Sequence, residues 1–399
     1  MAIQIIKYYF ISALILLFMG CASHVNKSTI EVERVKSKYI ADNRVSLFDV
    51  NLSKNDKGVL IVSGETTVPD AKTELISSLQ KNNIALIDSL TVLPDVNRVQ
   101  QLWALVTVSV ANLRDKPYHA AQLVSQIIMG TPVKVLKEQG AWVLIQCPDR
   151  YIAWTNASSL HFLSDLEFAK WKITQRAVLK RDAWMLAFDG KRVSDLVAGS
   201  IVQIVSDSSE FSKVALPDGR WGYLARNSFR HFDQWTNQTR LKKDKLVETA
   251  FTFFGLPYLW GGTSSKGLDC SGLMKNIYFL NGYILARDAS QQVKYGLNVN
   301  TDLAKLHAGD LLFFGNAKSK KVTHVGMYIG DTEFIHASAR VMVNSLDSVR
   351  PNFSTYRADT WLYARRYVGQ AVQDGLIPVG SHSWYVNTDG AGSATLTIP

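Results

Sequence analysis

The sequence predicts a multidomain chain: a small N-terminal α/β unit, two small β-barrels and a C-terminal α+β domain. Three observations lead there. At 399 residues and 47% hydrophobic, with no long polar tract, the chain is globular and long enough for about two to four domains. Its middle reads as short strands divided by turn residues, in a succession of motifs that occurs twice. Its last third places a helical spacing after a Gly-rich turn and then alternating strand patterns.

Residues 1–20 read as a lipoprotein-type signal peptide. Lys7 precedes an apolar stretch over 8–19, too short to span a bilayer, that ends in Phe18-Met19-Gly20-Cys21. Cleavage there makes Cys21 the acylated first residue, so the chain is expected to be exported and anchored through a lipid at Cys21, facing the periplasm or cell envelope. A plain signal peptide or an uncleaved anchor fits the same stretch, because the n-region carries one positive charge and Phe18-Met19 is a loose version of the small-residue box. Without Lys7 the formal charge falls from +10 to +9, a balance drawn to anionic wall or membrane surfaces. No Lys/Arg-dense stripe has base-reading character, so nucleic acid is not an expected partner.

Residues 30–98 form the α/β unit. Arg44-Val45-Ser46-Leu47-Phe48-Asp49-Val50 and Gly58-Val59-Leu60-Ile61-Val62-Ser63-Gly64 read as strands, 69–81 as a helix, and Ile84-Ala85-Leu86-Ile87-Asp88-Ser89-Leu90 as an apolar run. Residues 99–164 are all-β, with Val106-Thr107-Val108-Ser109-Val110, Asn112-Leu113-Arg114, Gly130-Thr131-Pro132-Val133, 142–147 and Tyr151-Ile152-Ala153-Trp154 as the ordered blocks. Residues 165–235 repeat the succession more loosely through Ala177-Val178-Leu179-Lys180, 199–205, 213–219 and Trp221-Gly222-Tyr223-Leu224. The C-terminal domain spans 240–368. The tail over 369–399 carries Gly390-Ala391-Gly392-Ser393 and no charge after Asp389, which fits either disorder or an added strand.

Chemistry concentrates in the C-terminal domain. Tyr258-Leu259-Trp260-Gly261-Gly262-Thr263 cannot be helix interior, and after Cys270 the apolar residues fall at helical intervals. Cys270 is thus placed at a first helical turn, where free N–H groups and the helix dipole favour a thiolate. His324-Val325-Gly326-Met327-Tyr328-Ile329 alternates as a half-buried strand, and Gly330-Asp331-Thr332 turns it into Glu333-Phe334-Ile335-His336. Paired strands let His336 hold the far nitrogen of His324 and fix its tautomer. The backbone N–H of Cys270 is a candidate oxyanion donor. Cys147, in an apolar run without a Gly-rich turn or His partner, reads as a buried strand residue. Two cysteines of such different context imply no disulfide, and neither a metal nor a cofactor is expected.

The ordered blocks Tyr-Leu-Trp-Gly-Gly-Thr, Leu268-Asp269-Cys270-Ser271-Gly272, Arg287-Asp288-Ala289-Ser290-Gln291-Gln292, Gly309-Asp310-Leu311-Leu312-Phe313-Phe314 and His-Val-Gly resemble the NlpC/P60 cysteine peptidases, over 257 to about 367. The resemblance implies a papain-like α+β core and hydrolysis of bacterial cell-wall stem peptides, with Cys270 as nucleophile, His324 as base and His336 as the polar third residue. It also implies the Tyr258 hydroxyl as a second oxyanion donor, with an aromatic packed under the loop as the plain alternative, and that Asp269 and Ser271 contact substrate, although an Asp there equally suits a helix cap. The middle blocks resemble bacterial SH3-like domains. The whole arrangement resembles the γ-D-glutamyl-L-diamino acid endopeptidases of the dipeptidyl-peptidase VI type, in which the first barrel closes one end of the cleft so that peptides with a free N-terminal L-alanine fit. That implies substrate contacts from Asp288, Tyr151 and Trp260. The group also uses an acidic residue of the first barrel; Asp115 is nearby in the pattern, and Gln122 stands where Glu is expected. Each substrate residue has a plain alternative: Asp288 as a helix cap, Trp260 as core, Tyr151 as barrel packing. Two other readings of the chain are a wall-binding lipoprotein with a vestigial peptidase domain and a thiol acyltransferase.

Overall fold

Alternation and helical spacing resolve the chain into two units, 1–100 and 101–399, and the computed structural model describes residues 27–238, 241–371 and 374–387. The expected signal peptide and Cys21 lie outside the described residues. Among those described, no helix is long and apolar enough to cross a membrane.

In the first unit, Phe48–Lys54 pairs antiparallel with Leu60–Thr66, which pairs parallel with Leu86–Val92. A parallel pair needs a crossover, and helix Pro69–Lys81 supplies it. Pro69 suits the first turn, where a missing N–H costs nothing. Ala71, Leu75 and Leu79 recur every four residues and are buried against Leu60, Val62 and Leu90. The first strand lies later than the 44–50 expected. A helix over 27–39 also precedes it, for which the sequence analysis has no element. Charged residues dominate that stretch; Val32 and Val35 enter the core, while Arg34 and Lys38 pair with Glu74 at 2.8 and 2.5 Å.

The second unit contains two seven-stranded sheets, from Trp103–Val106 to Leu160–Leu163 and from Arg176–Leu179 to Phe229–His231. Numbering strands within each sheet, both have the order 7-1-4-5-6-2-3. Both also reach the last strand through a single 3₁₀ turn, Ala157–Ser159 or Arg226–Ser228. The loose repeat of motifs is therefore a repeat of topology. Between the sheets, helix Asp165–Ile173 starts at a capping box in which Ser164 and Glu167 satisfy each other's backbone N–H groups.

The C-terminal domain lays helix Cys270–Leu280 against a six-stranded sheet whose inner strands are, in order, Trp361–Arg366, Leu311–Gly315, Val322–Gly330 and Glu333–Ser338. Leu273, Met274, Ile277 and Tyr278 pack on Leu311, Phe313, Val325, Met327 and Ile335, all fully buried. Burial of such a side chain contributes about 1.5–3 kcal/mol, which holds the N-terminus of the helix against the sheet. Of the two possibilities for the tail, an added strand holds for its described part. Leu376–Pro378 pairs with Tyr283–Leu285, and Tyr385 is buried with Phe232 and Trp235; residues 388–399 lie outside the described set.

Candidate active site

The approach to Cys270 is shaped by close backbone contacts. A Cβ on Gly272 would lie 2.0 Å from the Gly262 carbonyl oxygen, so the loop over 258–263 can rest on the start of the helix only because that residue is glycine. Asp269 caps the helix, accepting from the Gly272 N–H at 2.6 Å. Its carboxylate also accepts from the Gly261 N–H at 3.0 Å, from Ser271 Oγ at 3.1 Å and from two nitrogens of Arg287 at 3.2 and 2.6 Å. Cys270 follows as the first helical residue, and its N–H donates to no acceptor among the described residues.

The thiol faces the sheet. Its sulfur is met by the backbone N–H groups of Ser271 and of Val325, the neighbour of His324 in the chain. His324 Nε2 lies 2.8 Å from His336 Nδ1, and His336 Nε2 lies 2.8 Å from Asn344 Oδ1. The Asn344 amide nitrogen donates to the Asn352 carbonyl at 3.1 Å, which turns its oxygen toward His336. His336 must then carry its proton on Nε2 and accept on Nδ1. His324 in turn carries its proton on Nε2, leaving Nδ1 as the bare nitrogen. Three side chains on three strands, anchored by the Asn352 carbonyl, thus fix one tautomer.

Burial governs the charges. It pushes the Cys270 thiol up to about 11, with Asp269 adding to the rise and the two N–H groups and Arg287 opposing it. Burial also holds His324 well below its usual range, helped by Arg357 and His336, and brings His336 down to about 4. Tyr258 is pushed up to about 12 by burial, then by Cys270 and Asp269, so its phenol stays protonated. Cys147 is also buried and pushed up, but Asp149 and Lys275 are the only charged neighbours acting on it and no imidazole does. Both cysteines are free.

The first barrel reaches this site through polar groups. Ser125 Oγ accepts from Arg287 Nε at 2.9 Å, completing the coordination of a guanidinium that is 1% exposed. Gln126 accepts from the Thr263 N–H at 3.0 Å, and its carbonyl takes the Thr263 hydroxyl at 2.7 Å. Asp149 lies 2.9 Å from Lys275 on the Cys270 helix.

Known proteins share these parts. The profile of the NlpC/P60 family matches residues 255–365, and that of the bacterial dipeptidyl-peptidase SH3 domain matches 113–160. Dipeptidyl-peptidase 6 of Lysinibacillus sphaericus is 32% identical over 269 residues, 64% of this chain and 95% of that protein. This chain belongs to the NlpC/P60 family. The γ-D-glutamyl-L-lysine dipeptidyl-peptidase of Bacillus subtilis (strain 168) is 31% identical over 53% of this chain and 71% of its own length. The crystal structure of an NlpC/P60 family protein from Bacillus cereus superposes with a TM-score of 0.59 at 25% identity, covering 67% of this chain and 99% of that one. The C-terminal domain is accordingly the papain-like NlpC/P60 domain of a peptidase in a peptidoglycan endopeptidase family, preceded by SH3-like barrels.

Around the NlpC/P60 cleft the predicted substrate residues divide. Asp288 and Tyr151 both act on the charge of Arg287, so a barrel residue and a domain residue converge there. Asp288 Oδ1 lies 3.8 Å from the guanidinium with its side chain 27% exposed. Asp288 also begins helix Ala289–Gln292, with its N–H donating to Gln291. Trp260 is 63% exposed, which excludes the core alternative. Asp115 and Gln122 are exposed neighbours across one hairpin. The Asp269 carboxylate accepts from Gly261, Ser271, Gly272 and Arg287, the helix-cap alternative, while the Ser271 hydroxyl donates to Asp269 and accepts from Arg287 at 3.0 Å. Sequence reasoning passed over Arg287, Asn344 and Arg357. Arg287 stood within a quoted motif; Asn344 and Arg357 lie in stretches with no pattern of their own.

Proposed function

We propose that this chain is a cysteine endopeptidase that hydrolyses the bond between γ-D-glutamate and the following L-diamino acid in peptidoglycan stem peptides with a free N-terminal L-alanine. The observation that carries the reading is the relay from Asn344 through His336 to His324, which leaves Nδ1 of His324 bare, next in the chain to Val325, whose N–H meets the Cys270 sulfur. At rest the shifts favour a neutral thiol and a neutral imidazole. The S–H proton therefore moves to His324 Nδ1 as sulfur attacks the amide carbonyl. The Cys270 N–H and the protonated Tyr258 hydroxyl receive the oxyanion. The leaving amine takes the proton from His324, and water then attacks the thioester with the same nitrogen as base.

The bond is inferred from the relatives named dipeptidyl-peptidase 6 and γ-D-glutamyl-L-lysine dipeptidyl-peptidase. The free-amine requirement is inferred from the junction with the first barrel, where Asp288 supplies the carboxylate a buried ammonium needs and Tyr151 a hydroxyl, with Trp260 at the cleft mouth. Export with a lipid at Cys21 belongs to the same proposal, and Cys21→Ala is expected to abolish incorporation of labelled fatty acid.

The test incubates wild type and Cys270→Ala with L-Ala-γ-D-Glu-meso-diaminopimelate and its N-acetylated form, with products read by mass spectrometry. Release of diaminopimelate by wild type from the free-amine peptide alone is expected. Equal cleavage of both peptides would remove the amine requirement, and cleavage by Cys270→Ala would remove the thiol mechanism.

A further inference from the structure

One cation beside the thiol has no role in that chemistry. Arg357 lies on the short helix Thr355–Thr360. Its guanidinium carbon sits 5.6 Å from the ring centre of Phe314, and Phe314 is both the cross-strand neighbour of His324 and a ring 5.9 Å from it. Three other arginines of the domain are engaged, Arg287 by Asp269, Arg365 by the Val293 carbonyl and Arg366 by Asp310. Among the described residues, no carboxylate or carbonyl pairs with the guanidinium of Arg357; its contacts are the faces of Phe314 and Tyr356. The residue is half-buried, and a cation so placed without an anion is costly unless a ligand supplies one.

Its place relative to the reacting groups selects that ligand. Arg357 lies over Phe314, the cross-strand neighbour of His324, and acts on His324, His336, Cys270 and Tyr258, so it stands at the thiol on the imidazole side. In thiol proteolysis the leaving amine takes its proton from the imidazole, which puts the leaving residue on that same side. If the hydrolytic reading above holds, that residue is a diamino acid bearing a carboxylate next to the scissile nitrogen. We infer that Arg357 binds a carboxylate of the leaving diamino acid, in a charge-assisted pair across the wall formed by Phe314, and so sets specificity on the leaving side. The carboxylate has two possible sources: the α-carboxylate of a chain-terminal residue, or the side-chain carboxylate of diaminopimelate.

Steady-state kinetics of wild type, Arg357→Gln and Arg357→Lys on three free-amine peptides test this. The peptides are L-Ala-γ-D-Glu-L-Lys, its C-terminal amide, and the diaminopimelate peptide with its α-carboxyl amidated. Wild type is expected to favour at least one carboxylate-bearing peptide over the lysine amide by about tenfold or more in kcat/KM. The peptide so favoured identifies the source. Arg357→Gln should erase the preference mainly through KM and leave the amide within about twofold, with Arg357→Lys restoring part of it. Equal wild-type rates on all three peptides would overturn the inference. So would a variant that slows all three by one factor, because that marks an effect on the histidines. A wild type that cleaves none overturns the hydrolytic reading, and this one with it.

Discussion

The first barrel meets the Cys270 region through buried polar groups, while the second, with the same strand order, meets it through an apolar seam, one ion pair and a hydrogen bond from an exposed serine. Ser125 and Gln126, on the third strand of the first barrel, are 2% and 5% exposed and bond to Arg287 and Thr263. In the second barrel, Asp195 on the equivalent third strand pairs with Lys266 at 2.8 Å, and Asp182 accepts from the exposed Ser265. Four successive residues, 263–266, thus touch first one barrel and then the other. Shared topology places both third strands beside that hairpin; side-chain chemistry decides which of them is tied to the catalytic machinery. A buried hydrogen bond missing its partner costs about 1–3 kcal/mol, whereas an exposed ion pair contributes about 0–1.

The contrast can be broken in order of effect. Cys270→Ala and His324→Ala are expected to lower kcat/KM on the tripeptide by about 10³-fold or more; should Gln126→Ala lose as much without unfolding, the first barrel would belong to the chemistry. Next, Arg287→Met strands the buried Asp269 carboxylate and should cost about 3–5 kcal/mol in urea unfolding. Lys266→Met on the second-barrel side should stay within about 0.5 kcal/mol, and similar losses from both would erase the distinction.

Acid sharpens it further. His336 falls from the ordinary 6.5 to about 4 on folding, so the unfolded chain binds the extra proton first. The resulting penalty is absent above pH 6.5, grows as pH falls and is complete below about 4, where it amounts to about 3 kcal/mol. His324, also depressed, adds to it in the same direction. Urea midpoints between pH 7 and 4 should therefore drop less steeply in His336→Gln than in wild type. The smallest effect on catalysis belongs to Asn344→Ala, which frees the tautomer without removing an imidazole. It should lower kcat about five- to tenfold with KM unchanged, and an unchanged kcat would dissolve the proposed relay.

Much of this was legible beforehand. Helix 69–81, the strands around His324 and His336, and the recurrence of the barrel motifs all carry local periodicity. The helix over 27–39 was hidden by its charges, although helix Asp165–Ile173 announced itself through Ser164 and Glu167, a capping signal not exploited.

By itself the sequence determined the order of domains and the placing of Cys270 at a helix start and of two histidines on adjoining strands, because helix and strand periods and turn residues act over a few positions. The tertiary structure alone decided that Asp269 and Ser271 are held by Arg287, that Asn344 ends the relay, that Arg357 stands over Phe314 without an anion among the described residues, and that the first of two like barrels ties buried polar groups to the site. Each of those depends on residues up to 162 positions apart, as Ser125 and Arg287 are, and no local period encodes which distant partner satisfies a buried charge.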